Sequence, residues 1–553
     1  MELKNLYEKK YIIEQHPYIF SLLVCIGVWA FTYGDQKLFS GTSVIIIAFL
    51  VIIVLFRKFI AQKKADYLKF TTASLASVAI AIFFSLSPFK GSMLLLTGIG
   101  CILVMYLVYK KELFEPENIR LLILLFAFLL YISYIIFTRC TLRQMDVGYI
   151  HNGSGHFSYI EYLYDHSLML PHADPRGLFQ MYQPPLFYYI ATIIVRITTL
   201  LGVPYESAIE SVQIVTLYAA ICTVITADKI FRKFRLKGYA LSAAIALTAF
   251  GTGIIIMSGM ITNDILATAF ETGAALCALE WYDNRTFKNI INTALLIGLG
   301  MMTKLSVVMV APPIAVLFIY VFFKELKNWR AYLKQFAVFL GISVPLGVWF
   351  PIKNLILFGV PLGYVPEGMD NEYIENIPIW QRLFDFSWQN FEYPITVNYY
   401  GSLFDKVAEF EDYNPAIALI KSNVDMQMMR DKSFLATILY IQFYIMLILA
   451  IAGFAYMIYC LLSKNMKHIF MSVFWLSMMV SYYIFCIKYT NIYAENIRYV
   501  FDIIIVNSLY VGLFLNDNRQ KKFLRYIRYL LYPIIITYTL FSVFIWTMLS
   551  FYR

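Results

Sequence analysis

The chain has 553 residues, 60% of them hydrophobic and only 14% charged, with 46 Phe, 43 Tyr and a formal net charge of +10. A soluble domain carries about 25% charged residues and a single core stops growing near roughly 250–300 residues, so the composition excludes a water-soluble enzyme, a disordered chain and a disulfide framework. The excess base is that of loops kept on the cytoplasmic side of a bilayer, not that of a nucleic-acid binder.

Lys4, Lys9 and Lys10 precede the first apolar run, and no small-residue cleavage site follows. The first segment therefore reads as an uncleaved span with its N-terminus in the cytoplasm. A spanning helix needs about 20 mostly apolar residues. Apolar runs at 17–34, 44–56, 70–89, 93–109, 121–137, 208–227, 239–257, 265–279, 290–302, 305–323, 336–350, 434–462, 469–486, 503–515 and 529–551 predict an all-α polytopic membrane protein of about 15 transmembrane helices. Basic clusters at Arg57–Lys69, Lys229–Lys237, Lys324–Lys334 and Arg519–Arg528 fix the orientation, because short cytoplasmic loops collect Lys and Arg. The run 186–195 stops at Arg196, and counting it as a span would invert the Lys229–Lys237 cluster. It is read as a helix lying at the outer surface.

Four parts follow from this topology: an N-terminal four-helix extension (1–116), a membrane core (117–350) with a large first extracytoplasmic loop (138–206), a second outer loop or cap (351–433), and C-terminal spans (434–553). The first loop holds Asp146, His151, His156, Glu161, Asp165, His166 and His172. His156, Tyr159, Ile160, Leu163 and Tyr164 recur at helical spacing, which predicts an amphipathic surface helix with its aromatic face in the lipid interface. The seven cysteines have no C-x-x-C spacing, and no bridge is read between Cys140 and Cys486.

Several residues can carry chemistry. Asp146 follows the fifth run by about nine residues, where a carboxylate can take a proton from a hydroxyl nucleophile or simply pair with Arg139 or Arg143. The histidines match no metal-ligand pattern. Tyr182-Gln183-Pro184-Pro185 starts an apolar helix, as paired prolines allow. Asp264 is either a helix cap or a group that orients substrate. Glu271 lies seven residues deeper, and an acid within a membrane helix faces the protein interior, paired with a buried base or functional. Lys304, Lys353, Lys488 and Arg498 are bases on the disfavoured side. Each alone is explained by snorkelling; converged, they would hold a phosphate. There is no Walker or Rossmann glycine pattern.

Taken in order, the outer-loop Asp146, the His-aromatic helix, Gln-Pro-Pro-Leu-Phe-Tyr-Tyr (183–189), Thr-Asn-Asp (262–264), Met-Thr-Lys-Leu (302–305), Lys353-Asn354 with Gly359 and Pro-Leu-Gly (361–363), and Asn-Ile-Arg-Tyr (496–499) resemble the C-type polytopic glycosyltransferases. The branch is that of the dolichyl-phosphate-mannose protein mannosyltransferases and the lipid A aminoarabinose transferases. The resemblance runs from about Arg120 to Tyr499. It implies transfer of a sugar from a polyprenyl-phosphate carrier to an extracytoplasmic glycan, lipid or protein acceptor, with no cofactor and no required metal. On this resemblance Asp146 and Asp264 are the catalytic acids, while His156, Tyr182, Gln183, Lys304, Lys353 and Arg498 bind substrate or phosphate. Val147 stands where the family has a second acid, and Gln183 where it has Lys or His. A transporter or a lipid or polysaccharide flippase is the alternative, although the paired interrupted helices typical of transporters are not visible. A non-catalytic scaffold is a third reading.

Overall fold

The computed structural model describes residues 16–33, 115–151, 153–178, 180–366, 372–392, 412–424, 433–490, 494–517 and 522–549, and these contain helices and no strands. The expected spans 44–56, 70–89 and 93–109 lie outside the described residues. An all-helical outcome is what a bilayer demands, because a helix satisfies its own backbone hydrogen bonds.

In chain order, α1 (Pro17–Tyr33) and α2 (Pro116–Phe137) are followed by α3 (Gly155–Asp165) and α4 (Leu186–Leu200). The core continues with α5 (Gln213–Lys233), α6 (Gly238–Ala249), α7 (Thr252–Met257), α8 (Asp264–Asp283) and α9 (Phe287–Thr303). A 3-10 segment (Leu305–Val310) leads into α10 (Ala311–Lys324), and α11 (Trp329–Phe358) ends at Gly359, whose φ of 65° closes the helix. Beyond short helical turns come α12 (Pro415–Val424), α13 (Ser433–Leu461), α14 (Met466–Lys488), α15 (Asp502–Asn516) and α16 (Lys522–Leu549). Among the described residues, seven helical stretches are long and apolar enough to cross a membrane. The chain is a multi-pass membrane protein.

The stretch around α5 is the most enclosed of these. α8 packs between α5 and α9, α9 against α11, and α6 against α2 and α15. At one end of the bundle Arg120 joins Glu117 and Asp228 (2.8 Å), Arg232 joins Asp228 (3.1 Å), and Lys233 and Lys467 share Asp283 (3.1 and 2.6 Å). The loop after α2 crosses the opposite end, where Gln213 Nε2 donates to the carbonyls of Thr138 and Gly259 (3.3 and 3.0 Å).

The structure departs from the sequence expectations in four places. The run 239–257 divides into α6 and α7, since Gly251 and Gly253 weaken a helix there. The run 305–323 begins as a 3-10 segment. The run 336–350 extends from Trp329 to Phe358, which moves Lys353 from a loop edge into a helix. The fourth concerns the aromatic face of α3, which does not look into lipid. Tyr159, Ile160 and Leu163 are fully buried, and the Tyr159 ring stacks on Tyr188 of α4 at 4.0 Å. The amphipathic pattern is real, but its apolar face is covered by a neighbouring helix.

Candidate functional site

The loop between α2 and α3 is shaped by two glycines. A Cβ on Gly148 would lie 2.0 Å from the Ser154 carbonyl oxygen, and one on Gly155 2.2 Å from the Val147 carbonyl carbon. Both have positive φ, 75° and 66°, so the chain can cross itself closely only where Cβ is missing. The crossing lets the carbonyls of Asp146 and Val147 accept the first N–H groups of α3, from His156 and Phe157, each at 3.0 Å. Asp146 itself has φ 57°, a left-handed conformation that Asp and Asn tolerate better than most residues. Replacing Gly155 by Ala is expected to undo the crossing, since it adds a clash to about 1–2 kcal/mol of left-handed strain. Turnover should fall by about tenfold or more, while size-exclusion elution of the detergent-solubilised bundle stays unchanged.

Side chains tie this loop to two distant segments. Gln144 accepts from the Ile261 N–H (2.8 Å) and donates to the Gly259 carbonyl (3.0 Å), just ahead of α8. Asn496 Nδ2 reaches Met145 Sδ at 3.5 Å, just ahead of the 3-10 turn Ile497–Tyr499. Asp146, Asp264 and Arg498 are thereby brought together although 118 and 234 positions separate them in sequence.

Arg498 is the centre of the cluster. It is 2% exposed, its Nη2 donates to Asp146 and to the Tyr499 hydroxyl (2.5 Å), and its Nη1 lies 3.5 Å from Asp264 Oδ2. Lys304, at the break between α9 and the 3-10 segment, donates to the other oxygen of Asp264 and sits 4.5 Å from the Tyr499 ring centre. Neither of the bland readings for the two acids holds. Asp146 pairs with Arg498 rather than Arg139 or Arg143, and Asp264 is the first residue of α8, its carboxyl taken by Lys304, Arg498 and Thr262 (3.1 Å). Asn263 Nδ2 holds Gln183 Oε1 (2.9 Å) and the Thr303 carbonyl (2.8 Å).

These groups line a cleft of about 340 Å³ with Asp146, His156, Tyr182, Gln183, Asp264, Lys304 and Arg498 at its polar end. Leu305, Val308, Met309, Phe485 and Val500 line an apolar part. The Asp146 side chain is 38% exposed. Burial in the cleft pushes its carboxyl up, but the charge and hydrogen bond of Arg498 outweigh that and hold it below the ordinary carboxylate range. Burial pushes His156 down to about 4, against the pull of Asp146 and Asp264, so the ring is neutral at pH 7. Its Nδ1 meets the Tyr188 hydroxyl at 2.8 Å. Of the four first-loop histidines, His156 alone lines the cleft; His151 lies against Glu161 and Glu206.

Lys353 and Lys488 do not line the cleft. Lys353 lies 5.7 Å from the Phe350 ring centre and Lys488 5.0 Å from that of Tyr489. Tyr499 is the site residue that the sequence reading left out. Its signal was present, as an aromatic side chain directly beside the basic residue of Asn-Ile-Arg-Tyr. Tyr364 also lines the cleft and meets Tyr182 edge-on at 5.9 Å; nothing in the sequence marks it.

Residues 182–349 match the model of the dolichyl-phosphate-mannose-protein mannosyltransferase family. That segment contains Gln183, Asp264 and Lys304 but neither Asp146 nor Arg498. No curated protein matches the chain. Among solved structures, archaeal oligosaccharyltransferase AglB from Archaeoglobus fulgidus, in complex with an inhibitory peptide and a dolichol-phosphate, is 12% identical with a TM-score of 0.46. The apo form of the Archaeoglobus fulgidus oligosaccharyltransferase is 16% identical with a TM-score of 0.43. In both cases 79% of this chain is covered, and it spans 56% of the length of the other. The family match agrees with the resemblance carried by the sequence motifs to polytopic C-type glycosyltransferases.

Proposed function

We propose that the cleft transfers a sugar from a polyprenyl-phosphate carrier to a hydroxyl acceptor at the extracytoplasmic face of the membrane. The observation that carries this reading is the convergence of two carboxylates and two cations, from four separate segments, on one cleft with an apolar lobe. The basic network of Arg120, Arg232, Lys233 and Lys467 sits at the opposite end of the bundle, which suits a cytoplasmic location for that end.

The carrier phosphate docks on Lys304 and Arg498, and the lipid-proximal part of the carrier lies along Leu305, Val308 and Phe485. Lys304 has spare donors, and among the described residues no acceptor reaches Arg498 Nε. Asp146 takes the acceptor's hydroxyl proton as that oxygen bonds to the anomeric carbon. The bond from that carbon to the phosphate oxygen breaks, and the carrier leaves as polyprenyl phosphate. Charge builds on the phosphate as the bond breaks, so fixed cations favour the transition state over the ground state. Phosphate binding also competes with Asp146 for Arg498. As the guanidinium turns to the phosphate, the carboxylate regains proton affinity when a base is needed.

The test is turnover in nanodiscs supplied with a panel of radiolabelled polyprenyl-phosphate sugars and hydroxyl acceptors. Protein-dependent release of polyprenyl phosphate with label moved to an acceptor is the expected result. If the carrier crosses the bilayer with its sugar still attached, and no panel member is cleaved, the flippase reading replaces this one.

A further inference from the structure

Glu271 and Asp502 play no part in the scheme above, yet both are enclosed in the bundle directly beneath the cleft, 3% and 0% exposed. Glu271 lies seven residues along α8 from Asp264, which places the two on the same helix face about 10 Å apart along the axis. Asp502 opens α15, four residues after Arg498. The two carboxyl groups lie close enough to act on each other directly, and Thr272, next to Glu271 on α8, reaches Asp502 Oδ1 at 2.9 Å. Among the described residues no base forms an ion pair with them: the cation that acts on Glu271 is Lys304, whose ammonium pairs with Asp264 and faces the Tyr499 ring.

The count of hydrogens is decisive. The Thr272 hydroxyl lies 2.7 Å from the Thr268 carbonyl and 2.9 Å from Asp502 Oδ1, and it has one hydrogen for the two acceptors. Among the described residues no N–H or O–H donor reaches Asp502 Oδ2. Two ionised carboxylates in contact would bring no hydrogen at all and would repel in a medium that screens poorly. One proton on the pair supplies the missing donor and removes half the charge.

We infer that Glu271 and Asp502 hold a single proton between them, and that this carboxyl–carboxylate hydrogen bond is a positioning pair fixing the spacing of Asp264 and Arg498. It joins α8, which begins with Asp264, to α15, which follows the turn carrying Arg498. A slip of either helix would pull Arg498 Nη1 away from Asp264, already at 3.5 Å, and loosen the cation pair above. The role in turnover rests on the transferase reading; the shared proton does not.

Glu271→Gln keeps a donor of the same shape and removes the charge, whereas Glu271→Ala removes the joint. Glu271→Gln is expected to stay within about threefold of the wild-type kcat, and Glu271→Ala to fall by about tenfold or more, as a lost buried hydrogen bond would give. Infrared spectra of the protein in nanodiscs should show the C=O stretch of a protonated carboxyl in the wild type and lose it in Glu271→Gln. Absence of that band in the wild type overturns the shared proton. Equal damage from Gln and Ala, in protein that elutes and melts like wild type, overturns the positioning role. Absence of sugar transfer by the wild type would instead remove the transferase reading and leave the infrared result standing.

Discussion

Replacing Asp146 by Asn is expected to lower sugar transfer by about two to four orders of magnitude, the usual range for removing a general base, with little change in folding. Asn suits this test because the left-handed φ of 57° at this position is one that Asn also accepts. The two hydrogen bonds that the 146–147 carbonyls receive from α3 are backbone bonds and survive the change. An amide still accepts from Arg498 but does not take up a proton. The pH profile adds a second check. Pairing with Arg498 holds the Asp146 carboxyl below its ordinary range, so the base stays ionised as pH falls through that range. Its stabilising contact with Arg498 is full above the unfolded carboxylate value and is lost only as pH drops through the lower folded one. The kcat/KM of the wild type, which reports the free enzyme, should therefore hold steady from neutral pH down to about pH 5, with no acid limb centred where a free carboxylate titrates. Full activity in Asp146→Asn would remove Asp146 from the reaction.

Much of this site was legible in the sequence because membranes make charge informative. In an apolar chain, an acid or base away from the Lys- and Arg-rich loop clusters needs a local reason, and Asp146, Asp264, Lys304 and Arg498 stand out on that ground. Their convergence on one cleft was a bet on tertiary contacts, which local pattern does not encode. Lys353 shows the limit. It met the same criterion, but the helix containing it runs on to Phe358, and its ammonium ends beside Phe350 rather than in the cleft. The α3 helix shows a second limit. Helical periodicity reports that one face is apolar but not whether lipid or protein covers it, and here α4 does. Tyr499 and the Gln144 clamp went unread for a third reason. An aromatic or amide side chain costs little in many settings, so its presence demands no explanation. Glu271 was legible as an anomaly, but its partner is an acid where a base was the expected alternative.

Arg498 is where the second large effect is expected, and it separates charge from shape. Its guanidinium spans Asp146 and Asp264 with two different nitrogens and also donates to Tyr499. A lysine at this position has a single ammonium on a flexible stem and does not reproduce that fork. Arg498→Lys should therefore lose about a hundredfold in kcat/KM for the carrier, roughly 2.7 kcal/mol at 1.36 kcal/mol per decade. Arg498→Met should do more, because it leaves two acids to share the single charge of Lys304. Removing one partner of a buried pair costs about 3–5 kcal/mol, so this variant should melt at a lower temperature in detergent as well as losing transfer. Adding Asp264→Asn to Arg498→Met brings the cluster back to one acid and one base and should restore much of the melting temperature, while transfer stays lost because, on the proposed scheme, the phosphate still has only Lys304. Recovery of stability without recovery of transfer is the outcome that distinguishes a cation needed by the substrate from one needed only by its neighbours. If the double variant regains transfer along with its melting point, Arg498 serves the fold alone.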